Sequence, residues 1–407
     1  MSLLQDIYDY VKSGETDTEN LGLEIEHFIV DRNGFQIGFD EITSLIEKVG
    51  QEINAEIQYT DGYPVGYVNT RYTVSLEPAC QFEISINPYS ELAEIEQVYQ
   101  EFRNLWEPIF EARGYHFAAK GNLPLVELGA IDPDEIPLSP KKRYQYMDAY
   151  FRKSGKYGKY MMRASASAQV SVDYKSESDL IRKLKVLQKI SPILMLMMEN
   201  KTDDRSALPE APDKPHLLRI QEWDDLDPER TGFYPHSLEE GFGYHQIADV
   251  VYNTPLILLT DNGSTIDVGH RNTGDLLREG ILTEEELDAD RRKRLTEHIL
   301  SMGFFHFRVK KYIEIRVADS VPLKKALGYV ALLKGIVYSE RSLDILEDEL
   351  SDIDTTEKIQ DAVVRIETGG RDAVIYHDLT AAEWAARLVQ LSSEALPEHE
   401  KEYLAYV

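Results

Sequence analysis

The chain has 407 residues, of which 43% are hydrophobic and 29% are charged, and this length is enough to bury a large core. Its 44 basic and 72 acidic residues give a formal net charge of -28. Because that charge would repel phosphate backbones and anionic lipid surfaces, we expect neither nucleic acid nor a membrane as a partner.

The single cysteine, Cys80, excludes an internal disulfide and is typical of a reducing compartment. The amino terminus shows no basic leader followed by an apolar run, so no secretory signal is predicted. The longest apolar run, ISPILMLMM at 190–198, is too short to span a bilayer. We therefore expect a cytoplasmic protein.

Alternating apolar and polar residues, or an Asn-Gly turn between apolar residues, indicate strands along much of the chain. In chain order these segments are LGLEIEHFIVDRNG (21–34), YTVSLEPACQFEISINP (72–88), ASASAQVSVDY (164–174), ILLTDNGSTIDV (257–268) and KYIEIRVAD (311–319). Pro78 is expected to kink the second segment.

Apolar residues at helical spacing predict long helices between these strands. One runs from Glu91 to Arg113 with Ser90 as its cap, and another runs from Glu177 to about Met198 and begins near Ser176. Further predicted segments are a helix over Leu323 to Leu350, a helical tail from Thr380, and a proline-rich loop at 201–216.

Hairpin-linked strands with helices in separate blocks predict an α+β protein with an antiparallel or mixed sheet. No linker, repeat or low-complexity tract divides the chain, so we expect a single domain over residues 1–407. A doubly wound nucleotide-binding fold is disfavoured, because Gly241-Phe242-Gly243 lacks a third glycine and a preceding strand.

Several predicted strands place acidic residues on one face and apolar residues on the other, since residues two apart share a face. The acidic residues are Glu24, Glu26, Glu77, Glu83 and Glu314. One such strand alone is typical of a solvated surface, but together these faces carry scarcely a lysine. If they line one cavity, each pair of carboxylates repels by roughly one to four kcal/mol, so a cation is expected among them.

Oxygen ligands without histidine or cysteine clusters favour Mg²⁺ or Mn²⁺ over zinc, and Mg²⁺ held by carboxylates typically carries substrate phosphates. Arg316 shares the face of Glu314 and is suited to bind an oxyanion. The residues therefore predict a multi-metal phosphoryl-transfer site on a sheet.

Six segments in order resemble the glutamate-cysteine ligase family, in particular its plant and proteobacterial branch and its short actinobacterial members. They are GLEIEHF (22–28), SLEPACQFEIS (75–85), RYQYM (143–147), MMRASASAQVSVDY (161–174), LRIQEWDDLDPERTG (218–232) and RVKKYIEIRVAD (308–319). The resemblance implies a glutamine-synthetase-like fold, in which a curved, largely antiparallel sheet flanked by helices forms a funnel around the active site.

The resemblance also implies an ATP- and Mg²⁺-dependent reaction. The γ-carboxylate of glutamate would be phosphorylated and then attacked by the amine of cysteine, which is the first step in making glutathione or a related thiol. The matching positions imply that the metals are bound by Glu24, Glu26, Glu77, Glu83 and Glu314, and that Gln169 contacts a metal or the nucleotide. Arg219 together with Trp223 would bind the glutamate carboxylate, and Tyr144 would line the acceptor pocket. Arg316 would bind the phosphates, for which Lys310 or Arg308 is a weaker candidate.

One departure from the family pattern is Ala79-Cys80, where two glycines are usual. A buried, inert Cys80 is the simpler interpretation, and a thiol that makes the protein sensitive to oxidants is the alternative. Three other functions remain open on the sequence alone. They are a γ-glutamyl ligase that uses another amine, a metal-binding relative that has lost catalysis, and an unrelated metal-dependent hydrolase.

Overall fold

The computed structural model describes residues 2–261 and 263–407. The strands are β1 (Leu21–Asp31), β2 (Glu56–Thr60), β3 (Tyr63–Val68), β4 (Tyr72–Leu76), β5 (Phe82–Tyr89), β6 (Tyr115–Ala118), β7 (Ser167–Val172), β8 (Ile257–Asp261), β9 (Ser264–Gly269), β10 (Phe307–Val309), β11 (Ile313–Asp319), β12 (Val374–Tyr376) and β13 (Leu379–Thr380).

The helices are α1 (Leu3–Lys12), α2 (Phe39–Glu52), α3 (Leu92–Glu111), α4 (Pro124–Glu127), α5 (Lys142–Ser154), α6 (Gly158–Ala164), α7 (Glu177–Met197), α8 (Leu218–Asp224), α9 (Tyr244–Asn253), α10 (Thr273–Arg278), α11 (Ala289–Leu300), α12 (Leu323–Val337), α13 (Glu340–Glu349), α14 (Thr356–Gly369) and α15 (Ala381–Ala395). Short 3-10 helices cover Pro133–Glu135, Glu284–Glu286, Gly370–Asp372 and Glu398–Tyr406.

A nine-stranded sheet with the order β10-β11-β7-β1-β5-β4-β3-β2 organises the molecule, and β6 pairs with β1 outside this path. Its neighbouring strands all run antiparallel. The order ends at β10 and β2, so the sheet is open rather than a closed barrel. The expected α+β fold with a largely antiparallel sheet is confirmed.

One face of this sheet is apolar and is covered by helices. Leu23 and Ile25 of β1 and Val170 and Val172 of β7 are fully buried on it, and α3, α7 and α12 pack against the strands. Burying a side chain of this size stabilises the fold by roughly 1.5 to 3 kcal/mol. The other face is left for the polar side chains that alternate with these residues.

Most of the helix predictions are confirmed. The 91–113 prediction corresponds to α3, the tail beyond Thr380 is helical, and the loop at 201–216 contains no helix. Ser176 caps α7 by accepting a hydrogen bond from the backbone N–H of Asp179. The prediction that Ser90 caps α3 is wrong, because Glu91 occupies that position and its side chain makes no capping bond.

Two further element predictions are corrected. The segment 72–88 is not one kinked strand, because a turn at 77–81 separates the antiparallel strands β4 and β5. Cys80 lies in this turn with φ 68°, a left-handed conformation that glycine adopts most easily. The predicted helix from Leu323 to Leu350 is two helices, since the chain turns at 338–339 and Ser339 caps α13.

The two Asn-Gly signals gave different structures. Gly34 lies in a turn after β1, but the returning chain makes only an isolated bridge between Val30 and Gln36. The second signal joins the antiparallel strands β8 and β9, although its residue Asn262 lies outside the described residues.

Candidate active site

The polar face of the sheet forms one wall of a cavity of about 250 Å³. Strand register brings the predicted residues together, because directly paired residues project from the same face. The pairs are Glu26 with Glu83, Glu24 with Gln169, Ser75 with Glu83, Glu314 with Ser171, and Glu314 with Arg308. Thus four separate stretches of chain contribute to one site.

We call Glu24, Glu26, Glu77 and Glu83 the acidic wall, and all four line the cavity. Glu26 accepts hydrogen bonds from the backbone N–H of Ser167 at 2.8 Å and from its hydroxyl at 2.9 Å. Glu83 accepts one from the Ser75 hydroxyl at 2.7 Å. Within residues 2–261 and 263–407, no Lys, Arg or His forms an ion pair with the wall.

Burial and mutual repulsion raise the pKa of three carboxyl groups of the acidic wall, those of Glu24, Glu26 and Glu83. Burial, followed by repulsion from Glu77, raises the pKa of Glu26 to about 7. Burial and repulsion from Glu24 raise the pKa of Glu83 well above its usual range, and burial together with Glu314 raises that of Glu24. A cation placed among them would relieve this repulsion.

The opposite side of the cavity is cationic. Arg308, Lys310 and Arg316, which we call the cationic arm, surround the carboxylate of Glu314. Their nitrogen atoms lie at 2.6, 2.8 and 3.1 Å from its oxygens, respectively. Although burial opposes it, the three charges hold the pKa of Glu314 well below its usual range. Glu314 therefore sits in a different environment from the four carboxylates with which the sequence grouped it.

Gln169 connects the two sides. Its Oε1 accepts a hydrogen bond from Arg316 at 2.6 Å, while its Nε2 donates to Glu26 at 3.3 Å. The register between β11 and β7 shifts after Ile315, because two residues of β11, Arg316 and Val317, lie opposite the single residue Gln169 of β7. Such a bulge turns side chains locally, and Arg316 lies within it.

Trp223 and Tyr144, which the resemblance assigns to substrate binding, also line the cavity. Two guanidinium groups lie over the Trp223 ring, that of Arg316 at 5.7 Å and that of Arg219 at 5.9 Å from its centre. The Tyr144 hydroxyl donates to the carbonyl of Leu76 at 3.2 Å.

Arg219 is placed behind Trp223 rather than in the cavity lining. It is buried, and its one hydrogen bond goes to the carbonyl of Arg316 at 3.1 Å. Its Nε and Nη1 atoms have no partner among the residues that the structure describes. It pairs with neither Asp225 nor Asp227, because Asp227 holds Arg230 and Asp225 accepts from the backbone of Tyr157.

Arg143 lines the cavity and was missed as a site residue, although it begins the RYQYM segment. Its guanidinium makes only two long hydrogen bonds of 3.4 Å, both to Ser301. In the described part of the chain it has no carboxylate partner, and burial lowers its pKa. The sequence signal was an arginine directly before Tyr144, but its lack of a partner could be recognised only in three dimensions.

The donor set of the acidic wall fits a divalent cation, since it offers hard carboxylate oxygens without a bound positive charge. No three wall residues bring ligand atoms within 4.8 Å of one another, whereas among the described residues Glu91, His399 and Glu400 do. That second group lies elsewhere, and Lys334 already pairs with Glu400 at 2.6 Å.

Two minor predictions concern side chains next to the site. His27 is turned away from the wall, and its ring nitrogens bond the carbonyl of Phe82 at 3.1 Å and the hydroxyl of Tyr99 at 2.8 Å. Cys80 lies outside the cavity lining, and burial raises the pKa of its thiol to about 12, which is typical of an inert cysteine.

In the described residues, no helix is both long and apolar enough to cross a membrane. The cytoplasmic location expected from the sequence stays a prediction.

The fold is similar to that of a known ligase. A crystal structure of glutamate-cysteine ligase from Francisella tularensis in complex with AMP superposes with a TM-score of 0.53 and 13% sequence identity. The match covers 96% of this chain and 81% of that chain. At this identity the similarity shows the fold alone.

Residues 20–198 and 214–407 match the Glutamate-cysteine ligase family 2 (GCS2), and the chain belongs to this family. Among curated relatives, the chloroplastic glutamate-cysteine ligase of Medicago truncatula is 27% identical over 390 residues, which is 92% of this chain and 73% of the relative. That of Nicotiana tabacum is 27% identical over 404 residues, covering 96% and 73% respectively. The resemblance inferred from the six segments is therefore confirmed.

Proposed function

We propose that the protein is an ATP- and Mg²⁺-dependent glutamate-cysteine ligase, and that residues 1–407 act as its single catalytic domain. The observation that carries the proposal is the cavity on the polar sheet face, in which the acidic wall faces the cationic arm across Gln169. Family membership supports the choice of reaction.

The wall residues Glu24, Glu26, Glu77 and Glu83 would hold Mg²⁺ or Mn²⁺. Bound cations would neutralise the wall and supply positive charge to the phosphate oxygens of ATP. Glu314 was predicted as a fifth ligand. In this proposal its first role is to fix the cationic arm, because both of its oxygens accept from Arg or Lys.

Arg316 and Lys310 would bind the transferring phosphoryl group, since guanidinium and ammonium groups match oxyanions. Gln169 would keep Arg316 aligned by accepting its hydrogen bond. The residues thus act mainly by positioning charge before the reaction, which is the largest contribution in many enzymes.

Arg143 is the better placed of two arginines to bind the α-carboxylate of glutamate, because it lines the cavity without an acidic partner. Arg219, the choice made from the sequence, would act through Trp223, over whose ring it lies. Tyr144 would border the acceptor amine.

In the proposed reaction the γ-carboxylate oxygen of glutamate attacks the terminal phosphorus of ATP, which releases ADP and forms γ-glutamyl phosphate. The amine of cysteine then attacks the acyl carbon, the carbon–oxygen bond breaks, and inorganic phosphate leaves as the amide forms. The product would feed the synthesis of glutathione or a related thiol.

The test is to measure ADP release with ATP, Mg²⁺ and glutamate while single amines are added in turn. Turnover stimulated by cysteine supports the proposal. If a different amine stimulates ADP release, that amine rather than cysteine is the acceptor. If no amine stimulates ADP release, a binding protein that has lost catalysis is favoured.

A further inference from the structure

A second cavity of about 240 Å³ lies on the other side of α8. Trp223 of this helix lines the active-site cavity, while its neighbour Glu222 lines the second cavity. The residues that matter for its chemistry are Asn122, Glu127, Tyr160, Leu208, Leu218 and Glu222. None of them has a role in the function proposed above.

The floor of this cavity carries acceptor atoms without donors. Glu222 is fully buried and Asn122 is only 5% exposed. Both carboxylate oxygens of Glu222, Oδ1 of Asn122 and Oε2 of Glu127 have no hydrogen-bond partner in the part of the chain that the structure describes. Leaving such groups unpaired in a protein interior is unfavourable, so a bound partner that donates hydrogen bonds would be favoured.

The charge of the lining points to a cation. Glu127, Asp132 and Glu222 line the cavity, and no described Lys, Arg or His lines it. Asp132 is already neutralised by Lys159 at 2.8 Å, which leaves Glu127 and Glu222. The Tyr160 ring in the lining offers a further favourable contact to a cation.

The walls select an organic cation rather than a metal ion. Leu208, Leu218 and Val126 form apolar walls, whereas Mg²⁺ keeps a shell of water or oxygen ligands. Amino acids fit poorly as well, because their carboxylate would find no positive side chain in the lining.

We propose that the second cavity binds a primary alkylammonium compound without a carboxylate, with the ammonium group on Glu222 and Asn122 and the alkyl chain against the leucines. The site is separate from the proposed active site and does not depend on the proposed function. Because α8 also carries Arg219 and Trp223, an occupied cavity would fix the helix that borders the active site.

The buried position of Glu222 also affects its ionisation. Burial, which outweighs the attraction of Arg219, raises the pKa of Glu222 well above its usual range. The other charged groups that face it are Asp319 of β11 and Glu127 of α4. An ammonium group bound beside Glu222 would offset the cost of burial and favour the ionised carboxylate.

The test uses isothermal titration of the full chain with butylammonium chloride, with 1-butanol and sodium butyrate as uncharged and anionic controls. Glu222→Gln removes the charge at constant shape, and Ala207→Leu fills the cavity from its rim. Ala130→Leu, outside the lining, and Glu83→Gln, in the acidic wall, are the matched controls. Thermal unfolding checks that each variant is folded.

The expected result is that the wild type, Ala130→Leu and Glu83→Gln bind butylammonium, while Glu222→Gln and Ala207→Leu bind it at least tenfold more weakly. Neither 1-butanol nor butyrate should bind. The proposal is overturned if the wild type does not bind, if Glu222→Gln or Ala207→Leu binds as tightly as the wild type, or if Glu83→Gln alone loses binding.

Discussion

The acidic wall and the cationic arm show how one residue type acquires two different properties on one sheet face. Glu83 and Glu314 are both buried, with 8% and 1% exposure. The pKa of Glu83 is raised by burial and neighbouring carboxylates, whereas that of Glu314 is lowered by three cations. Partners rather than burial therefore decide the charge of each carboxyl group.

The two regions also differ in what they lack. Among the described residues no positive side chain forms an ion pair with the wall, so its carboxyl groups must either bind protons or be balanced by cations from solution. The arm has three cations and one acid, which leaves a formal charge of 3 − 1 = +2. A wall that needs cations opposite an arm that needs anions is the arrangement expected for a nucleotide bound with metal ions.

The largest effect is expected from Glu314→Gln, which removes the one acid that fixes the arm. Turnover should fall about 10³-fold, because preorganised charges at a phosphoryl group contribute energies of this size. ADP release with glutamate and cysteine measures the loss, and circular dichroism should show a retained fold.

Glu340→Gln is the matched control for this variant, since Glu340 forms an exposed ion pair with Arg182. An exposed pair contributes little, so the control should keep wild-type turnover. Near-normal turnover of Glu314→Gln would contradict the role given to the cationic arm and the prediction that Glu314 takes part in metal binding.

The next largest effect separates the wall from the arm. Glu24→Gln should lower turnover about 100-fold at low Mg²⁺, because it removes one ligand oxygen from the wall. Raising the Mg²⁺ concentration should restore much of the lost turnover.

Arg316→Lys keeps the charge but loses the planar fork of the guanidinium group. It should therefore raise the KM for ATP, and added Mg²⁺ should not restore its turnover.

Turnover measured over a grid of Mg²⁺ and ATP concentrations distinguishes these two behaviours. If both variants respond to Mg²⁺ alike, the division of the cavity into a metal side and a phosphate side is wrong.

A smaller effect distinguishes Arg143 from Arg219. Arg143→Met should raise the KM for glutamate about tenfold through loss of a charged hydrogen bond, without lowering stability, because Arg143 has no acidic partner to leave behind. The KM for glutamate is also measured for Arg219→Met and compared with that of Arg143→Met. If only Arg219→Met raises the KM for glutamate, the choice made from the sequence is correct and the one made from the cavity lining is wrong.

The sequence predicted the faces of the strands better than their connections. Because side chains alternate along a strand, the shared faces of Glu24 with Glu26 and of Glu314 with Arg316 could be inferred without coordinates. The turn that separates Glu77 from Glu83 could not, since Pro78 is as compatible with a kink as with a strand end. The pairing of Glu26 with Glu83 depends on that turn.

The partners of charged groups were also beyond the sequence. Glu314 was grouped with the other glutamates, because its ion pairs with Arg308 and Lys310 depend on the hairpin of β10 and β11. The missing partner of Arg143 and the position of Arg219 behind Trp223 depend on how α5 and α8 pack. The break of the long helix at Tyr338 had only Ser339 as a signal.

The smallest effect tests whether Arg143, which lines the cavity, also influences stability. His298 of α11 bonds the carbonyl of Leu258 at 3.0 Å. Burial, followed by repulsion from Arg143, lowers its pKa from 6.5 to about 4.

Because the folded pKa is below the unfolded value, neutral His298 stabilises the fold fully above pH 6.5. This contribution is lost as the pH falls from 6.5 towards 4, because in this range the unfolded chain binds a proton that the folded chain does not. Between pH 7.5 and pH 5.5 the wild type should lose about 1 kcal/mol from this histidine. His298→Gln should lose correspondingly less, as measured by urea unfolding at the two pH values.

Arg143→Met should reduce the same loss by a smaller amount, since it removes the repulsion but not the burial of His298. An equal pH dependence of the free energy of unfolding in the wild type and His298→Gln would mean that His298 does not contribute to it. If the free energy of unfolding depends less on pH in both variants, Arg143 keeps its positive charge in the folded protein. That charge is required for Arg143 to bind a substrate carboxylate.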